Sequence, residues 1–448
     1  MKQKIHSNSN TGGHLAWWQL SLLGVGCTTG TGFFLGTSIG IRESGYSIIV
    51  TLFLAAIATY LVFDSLARLI AQESLDGSYR AYAKKGFGHW AGFMIGWIYW
   101  SSEMMILGST LTALGLFSQF WFPNAPLWML ASIFAVLGIL IVLAGGKSFE
   151  KAENVFAVIK IAAIFMFIVL SILTWTGVID IQKPVLHYPT ENSRFFTHGA
   201  RGLWAGFIFS FYAFAGIEVV GLMATNLKDP KEAPKSGKTM IFILSGLYFL
   251  SIILALLLVP LNEFSTDESP FLTALKHYDF PILVHLFNGA LIIAGFSTVA
   301  ASLYCVTMMV VNLAAEGDAP KLFRRKKDAP TEKLPLTAMG LTLVGVSCSI
   351  CAAVFLPKNM YEYITTAGSL MLMYTWLFIL ATAWKLLKPK VSQKFKMLLA
   401  GLFILIAAAG CLLEKTSRTG FFFSLLVLIL VSASAFILHK WKWQKAES

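Results

Sequence analysis

The chain has 448 residues, of which 56% are apolar and only 13% charged, and its mean hydropathy is +0.70. Such values exclude an ordinary soluble domain and predict a protein that crosses the bilayer many times. The formal net charge of +12 raises the question of an acidic partner, and the placement of the cations along the chain answers it.

Residues 1–14 are polar and lack a short apolar core followed by a cleavage site, so no signal peptide is expected and the first helix is retained. Twelve apolar stretches follow, each long enough to cross a bilayer: 15–41, 45–70, 90–120, 125–145, 152–178, 199–225, 239–260, 281–314, 335–356, 359–386, 395–413 and 421–439. The first is unusual. Residues 24–40 read G-V-G-C-T-T-G-T-G-F-F-L-G-T-S-I-G, with Thr28, Thr29, Gly30, Thr31 and Gly32 in succession at mid-depth. Gly and Thr are poor helix formers, and freed backbone groups are tolerated at that depth only where protein or a water-filled cavity satisfies them. Two readings stay open. Either the helix is broken and its amides cradle an anionic group, or Gly26, Gly30, Gly32, Gly36 and Gly40 serve close helix packing.

In the second stretch Asp64 and Arg68 are four apart and can pair. In the third, Glu103 shares a helix face with Ile106, Leu107 and Thr110, and a structural role is expected for it. Lys160 in the fifth has no acid within one turn, since Glu153 is seven residues back. It lies about 12 Å into its stretch, so it either snorkels to the interface or does work at depth. The sixth stretch reads S-F-Y-A-F-A-G-I-E-V-V-G-L at 210–222, again with small residues mid-span. Glu218 follows Gly216 closely and is expected to stabilise a helix N-terminus there. Residues 262–279 form a polar excursion with room for a short surface helix. Interrupted segments one and six, five apart, point to two inverted halves with a midplane site, and the last two stretches are appended.

With the N-terminus in the cytoplasm, 25 of the 35 Lys and Arg fall on the cytoplasmic side and 8 outside. That excess places both termini in the cytoplasm. The net charge follows from topology, so no nucleic-acid partner is expected. The run R-R-K-K at 324–327 has the same explanation, with contact to anionic lipid as an alternative. All five cysteines, including the C-x-x-C of Cys348 and Cys351, lie in apolar stretches and read as small buried residues rather than a redox or zinc site. The eight histidines sit at or beyond the ends of stretches, without a metal-ligand cluster. No enzyme, metal or cofactor is expected, and no filter-like repeat suggests a channel.

T-G-T-G-F-F-L-G at 29–36 resembles the first-helix signature of the amino acid–polyamine–organocation superfamily, in particular its amino acid permease branch. The same branch is matched by G-S-Y-R-A-Y-A at 77–83, G-W-I-Y-W at 96–100 and A-E-N-V-F-A-V-I-K-I at 152–161. Further matches are A-F-A-G-I-E at 213–218, L-K-D-P-K-E-A-P-K at 227–235, and L-Y-C-V-T-M-M-V-V-N-L-A-A-E-G-D-A-P-K at 303–321. The resemblance runs through the whole chain in order. It implies an all-helical membrane protein of twelve transmembrane helices with the leucine-transporter-like fold, a five-plus-five inverted repeat with helices one and six broken. The halves would be 15–178 and 199–386, followed by helices at 395–439, between cytoplasmic tails 1–14 and 440–448.

It further implies secondary active uptake of an amino acid at the cell membrane. The substrate-binding residues would be Thr28, Thr29, Gly30, Thr31 and Gly32 on the first helix, Thr110 on the third, and Phe211, Ala213, Phe214, Ala215, Gly216 and Ile217 on the sixth. The α-carboxylate would meet backbone around 29–32, and the α-amino group would meet carbonyls that include those of Phe211, Ala213 and Phe214. Phe211, Tyr212 and Phe214 would close over the ligand. In proton-driven members a fifth-helix lysine occupies the region where sodium-driven relatives bind their cation, and V-I-K-I at 158–161 matches it, so Lys160 would couple a proton. The chain departs from the branch at Thr110 and Asn226, where acidic residues are common, and at Arg68. With Thr110 in that place, a neutral, apolar amino acid is expected. The alternative is an exchanger, or a carrier of cationic amino acids or amines, with Glu103 as counter-charge. The partners implied are an amino acid, a proton and the lipid bilayer.

Overall fold

The computed structural model describes residues 15–143, 146–179, 195–278, 280–325, 335–355 and 360–439. The tails 1–14 and 440–448, and Lys326 and Lys327 of the basic run, lie outside these residues. All described elements are helical, apart from one isolated bridge between Leu15 and Leu227. The first apolar stretch forms α1 (Trp17–Thr28), a π-helical turn (Gly32–Gly36) and α2 (Thr37–Ser44). Gly45, at φ +60°, turns the chain into α3 (Ile48–Gln72). Then come α4 (Tyr79–Phe87), α5 (His89–Gln119), α6 (Leu127–Leu143) and α7 (Gly146–Trp175). The sixth stretch divides into α8 (Gly199–Tyr212) and α9 (Ile217–Met223). The rest of the chain gives α10 (Ala233–Leu258), α11 (Pro270–Leu275), α12 (Pro281–Glu316), α13 (Leu336–Phe355), α14 (Met360–Leu387), α15 (Val391–Gly410) and α16 (Lys415–Leu438).

Each predicted apolar stretch carries helix, but the helices overrun several of them. α10 begins at Ala233 rather than 239, and α15 and α16 begin four and six residues early. Hydropathy marks the length that lipid demands, whereas the backbone ladder continues through lysines that suit a helix equally well. Eight spans among the described residues are long and apolar enough to cross a membrane, and α6 and residues 336–351 are shorter apolar helices. On α16 large side chains such as Phe422, Leu426, Ile429 and Phe436 are exposed, which suits a face turned to hydrocarbon.

At the centre, α5 packs along α12 and α14, α10 along α3, and α2 along α8. The two short pieces of the first stretch are held from different sides, α1 by α7, α9 and α10 and α2 by α8. The polar excursion holds the short helix α11, yet it is not a surface helix, because every residue from Pro270 to Leu275 is buried. Phe271 packs on Phe33, Phe34, Phe167 and Phe287 and roofs the break in the first helix. The helix itself reads P-F-L-T-A-L, and only its flanks are polar.

Candidate functional site

The first stretch breaks where Thr and Gly accumulate. α1 stops at Thr28, and Thr29 turns to extended geometry at φ −74°, ψ 96°. The helix resumes through Thr31, with Phe33 and Phe34 both donating to the Gly30 carbonyl at 3.1 Å. The N–H groups that open a helix have no acceptor within it, so Gly30, Thr31 and Gly32 present theirs at the break. The sixth stretch breaks after Tyr212. Gly216 takes φ +112°, a left-handed angle that glycine adopts without strain, and α9 starts directly after it. The two breaks abut: a Cβ on Gly216 would lie 3.2 Å from Thr28 Cα and 3.3 Å from the Cys27 carbonyl oxygen.

The glycines of the first break are also packing glycines. A Cβ on Gly32 would lie 2.5 Å from the Tyr212 carbonyl oxygen, and one on Gly30 would lie 2.6 Å from Thr298 Oγ1. Side-chain hydroxyls pin the surrounding helices. Thr31 and Thr110 share a hydrogen bond of 3.1 Å, and Ser109 reaches both Tyr212 Oη at 3.0 Å and Thr365 Oγ1 at 2.8 Å. Tyr248 donates to the Thr28 carbonyl at 3.4 Å and stacks on Phe33, with ring centroids 3.8 Å apart.

Between the breaks lies a cavity of about 40 Å³. That is little more than one water's share of liquid volume, roughly 30 Å³, so the walls must part to admit anything larger. Of the residues singled out in the sequence, Thr28, Gly30, Thr31, Gly32, Ala215 and Gly216 line it. Thr29, Ala213, Phe214 and Ile217 are buried beside it without lining it, and Thr110 stands behind Thr31. Phe211 points elsewhere, toward Phe207 and Trp376. Tyr212 is the aromatic in the wall. Glu103, Ile106, Glu153, Thr298 and Ser302 also line the cavity. The last two come from α12 and carried no local signal in the sequence.

Lys160 is 1% exposed and does not snorkel. Its Nζ donates to the Gly26 carbonyl at 3.0 Å and lies 3.5 Å from Glu153 Oε1. The absence of an acid within one turn did not leave it unpaired, because a seven-residue spacing returns to the same helix face two turns away. Both Glu153 oxygens accept from Ser297 Oγ, at 2.7 and 2.6 Å. Glu218 takes the capping place expected of it, accepting from Gly216 N at 2.9 Å and Trp376 Nε1 at 3.2 Å. Asp64 and Arg68 pair at 2.7 Å. Glu103 is buried and accepts from Ser302 Oγ at 2.8 Å.

The model of the family described as amino acid permease matches residues 19–445. The uncharacterized transporter YcgH of Bacillus subtilis (strain 168) is 53% identical over 428 residues, which cover 96% of this chain and 95% of the relative. The aromatic amino acid transport protein AroP of Corynebacterium glutamicum is 28% identical over 391 residues, 85% of this chain and 83% of the relative. The amino-acid permease RocC of Bacillus subtilis (strain 168) is 28% identical over 370 residues, 81% and 78% respectively.

Proposed function

The chain belongs to the amino acid permease family, a family of multi-pass membrane transporters, and from that premise we propose that it imports a neutral, apolar amino acid together with a proton by alternating access. The observation that carries this reading is the abutment of two helix breaks around a small cavity. Free N–H groups at 30–32, at the positive end of a helix, suit the substrate's carboxylate. At the second break the Phe211 and Tyr212 carbonyls accept from Phe214 N and Ala215 N, which leaves those of Ala213 and Phe214 to suit its ammonium group. Apolar wall residues such as Ile106, Ala215 and Val219 suit an uncharged side chain, as does the likeness to AroP, whose name assigns it aromatic amino acids.

The proposed architecture is twelve transmembrane helices with the leucine-transporter-like inverted repeat, 15–178 against 199–386, in the cell membrane with both termini cytoplasmic. Breaks in stretches one and six and the distribution of Lys and Arg support it. Lys160 is the proposed coupling residue. Its ammonium ties the end of α1 to α7, as a bound cation would, and loss of that tie frees α1 to move.

A second reading, exchange or carriage of cationic amino acids or amines, is favoured by one feature, the Glu103 carboxylate in the cavity wall. Reconstituted vesicles discriminate. Saturable uptake with counterflow, inhibited by leucine, isoleucine, valine and phenylalanine, is expected. Lysine or arginine as the better competitor would favour the second reading, and ohmic flux would sink both.

A further inference from the structure

Three buried carboxylates stand around the helix breaks, Glu103, Glu153 and Glu218. Two have positive company: Glu153 has the Lys160 ammonium, and Glu218 has the N-terminus of α9 and the Trp376 indole N–H. Glu103 has neither. The hydroxyls that face it, Ser302 at 2.8 Å and Tyr99, are neutral, and no ion pair among the described residues includes it. The titratable groups around it are Tyr99 on its own helix, Tyr79 on α4, Tyr212 on α8, Glu218 on α9 and Cys305 on α12, none of them cationic. The charged residues of α14 are engaged elsewhere, Glu362 with Arg42 and Lys385 over the Phe87 ring. On α16, which also packs on α5, Arg418 donates to the Leu412 carbonyl. An uncompensated carboxylate in an apolar bundle is costly, and a proton removes that cost.

From Glu103 a line of buried polar groups leads away from the cavity. Tyr99 is one turn along α5, and its ring centroid lies 5.3 Å from that of Tyr79. Both side chains are buried, and neither hydroxyl has a hydrogen-bond partner among the described residues. The residue after Tyr79 in α4, the buried Arg80, bonds Glu316 at the end of α12, and Lys84 joins the same carboxylate at 2.5 Å. Lys84 is 37% exposed, so the line reaches the surface at the end of the bundle that carries α4.

We infer that Glu103 is the exit acceptor for the coupled proton, taking it from the cavity and passing it by way of Tyr99 and Tyr79 to the Arg80–Glu316 pair and the cytoplasm. The proton's bond to its donor in the cavity breaks as an O–H bond forms on Glu103. That bond breaks in turn as each tyrosine hydroxyl accepts one proton and releases its own, and the Glu316 carboxylate takes the last, so no further reactant is needed. The inference rests on the proton-driven reading above and adds to Lys160, which holds the α1 break, a group that carries the proton out of the cavity.

The test is substrate accumulation in proteoliposomes under an imposed gradient of one pH unit. One proton per substrate sustains about tenfold accumulation in the native protein, since a pH unit is a factor of ten. For Glu103→Gln the accumulation ratio falls to about one and no longer responds to the size of the imposed gradient, and Tyr99→Phe slows the initial rate of gradient-driven uptake. Should Glu103→Gln fail to reach the membrane, Glu103→Asp keeps a carboxylate at a changed distance from Tyr99, and its rate against internal pH shifts relative to native. Glu103→Gln accumulating like native, or losing only competition by lysine and arginine, overturns the inference and leaves the transporter reading standing. So does Glu103→Asp with an unchanged pH profile. A native protein that accumulates nothing under the gradient overturns the proton-driven reading and this inference with it.

Discussion

The Lys160 ammonium donates to the Gly26 carbonyl across 3.0 Å, in the last turn of α1 before the helix breaks. The same Nζ faces Glu153, so one buried ion pair on α7 holds the cytoplasmic half of the first helix in place in the proposed orientation. Removing one partner of such a pair leaves an uncompensated charge, which costs about 3–5 kcal/mol, more than the intact pair contributes. Glu153→Ala and Lys160→Ala should each lower the thermal midpoint in detergent, and the double variant should lose less than the sum. Additive losses would mean that the two groups do not depend on each other.

Glycine at positions 30 and 32 should differ in tolerance. A Cβ on Gly30 meets a threonine hydroxyl, which can rotate away, whereas one on Gly32 meets the backbone carbonyl of Tyr212, which cannot. Uptake should survive in part in Gly30→Ala and be lost in Gly32→Ala, with both proteins present in the membrane. Leucine at either position should abolish uptake. Near-normal transport by the two leucine variants would leave these glycines without a role at the site.

The two neighbouring aromatics of α8 should separate binding from stability. Tyr212 lines the cavity and bonds Ser109, while Phe211 packs on Phe207 and Trp376. Tyr212→Phe should raise KM for uptake with little change in thermal midpoint. Phe211→Ala should cost about 3–5 kcal/mol as a core truncation, with KM of the surviving protein close to native. The reverse pattern would put Phe211, not Tyr212, against the substrate.

The proposed substrate class rests on Ile106, Ala215, Val219 and Ala301 in the wall, and on Thr110 being bonded to Thr31 rather than offering a charge. A thermal-shift screen of the purified protein should show stabilisation by leucine, isoleucine, valine or phenylalanine, since a ligand of the folded state raises its stability by mass action. Stabilisation by arginine or lysine alone would instead make Glu103 a counter-charge.

The two helix breaks were legible in the sequence because both are written locally, the first as Gly and Thr and the second as Ala and Gly where a membrane helix needs Leu and Val, and Gly216 takes the positive φ that such a break uses. The Asp64–Arg68 pair was legible for the same reason, being four residues apart on one helix. The Glu153–Lys160 pair was not, because a search within one turn stops short of a partner two turns away on the same face. The walls given by Thr298 and Ser302 come from a helix far along the chain and could be found only by folding it. Resemblance assigns Phe211 to the ligand, and only the folded chain shows its ring packed on Phe207 and Trp376. The segment holding α11 read as surface because its polar flanks outweighed six residues that bury themselves over Phe33 and Phe34.

Proton coupling through Lys160 is tested most directly by uptake in sodium-free vesicles, driven only by an imposed pH gradient, with native protein and Lys160→Ala side by side. Native protein should accumulate the amino acid above its external concentration, and Lys160→Ala should equilibrate without accumulating. Strict dependence on sodium, or accumulation by Lys160→Ala equal to native, would contradict it.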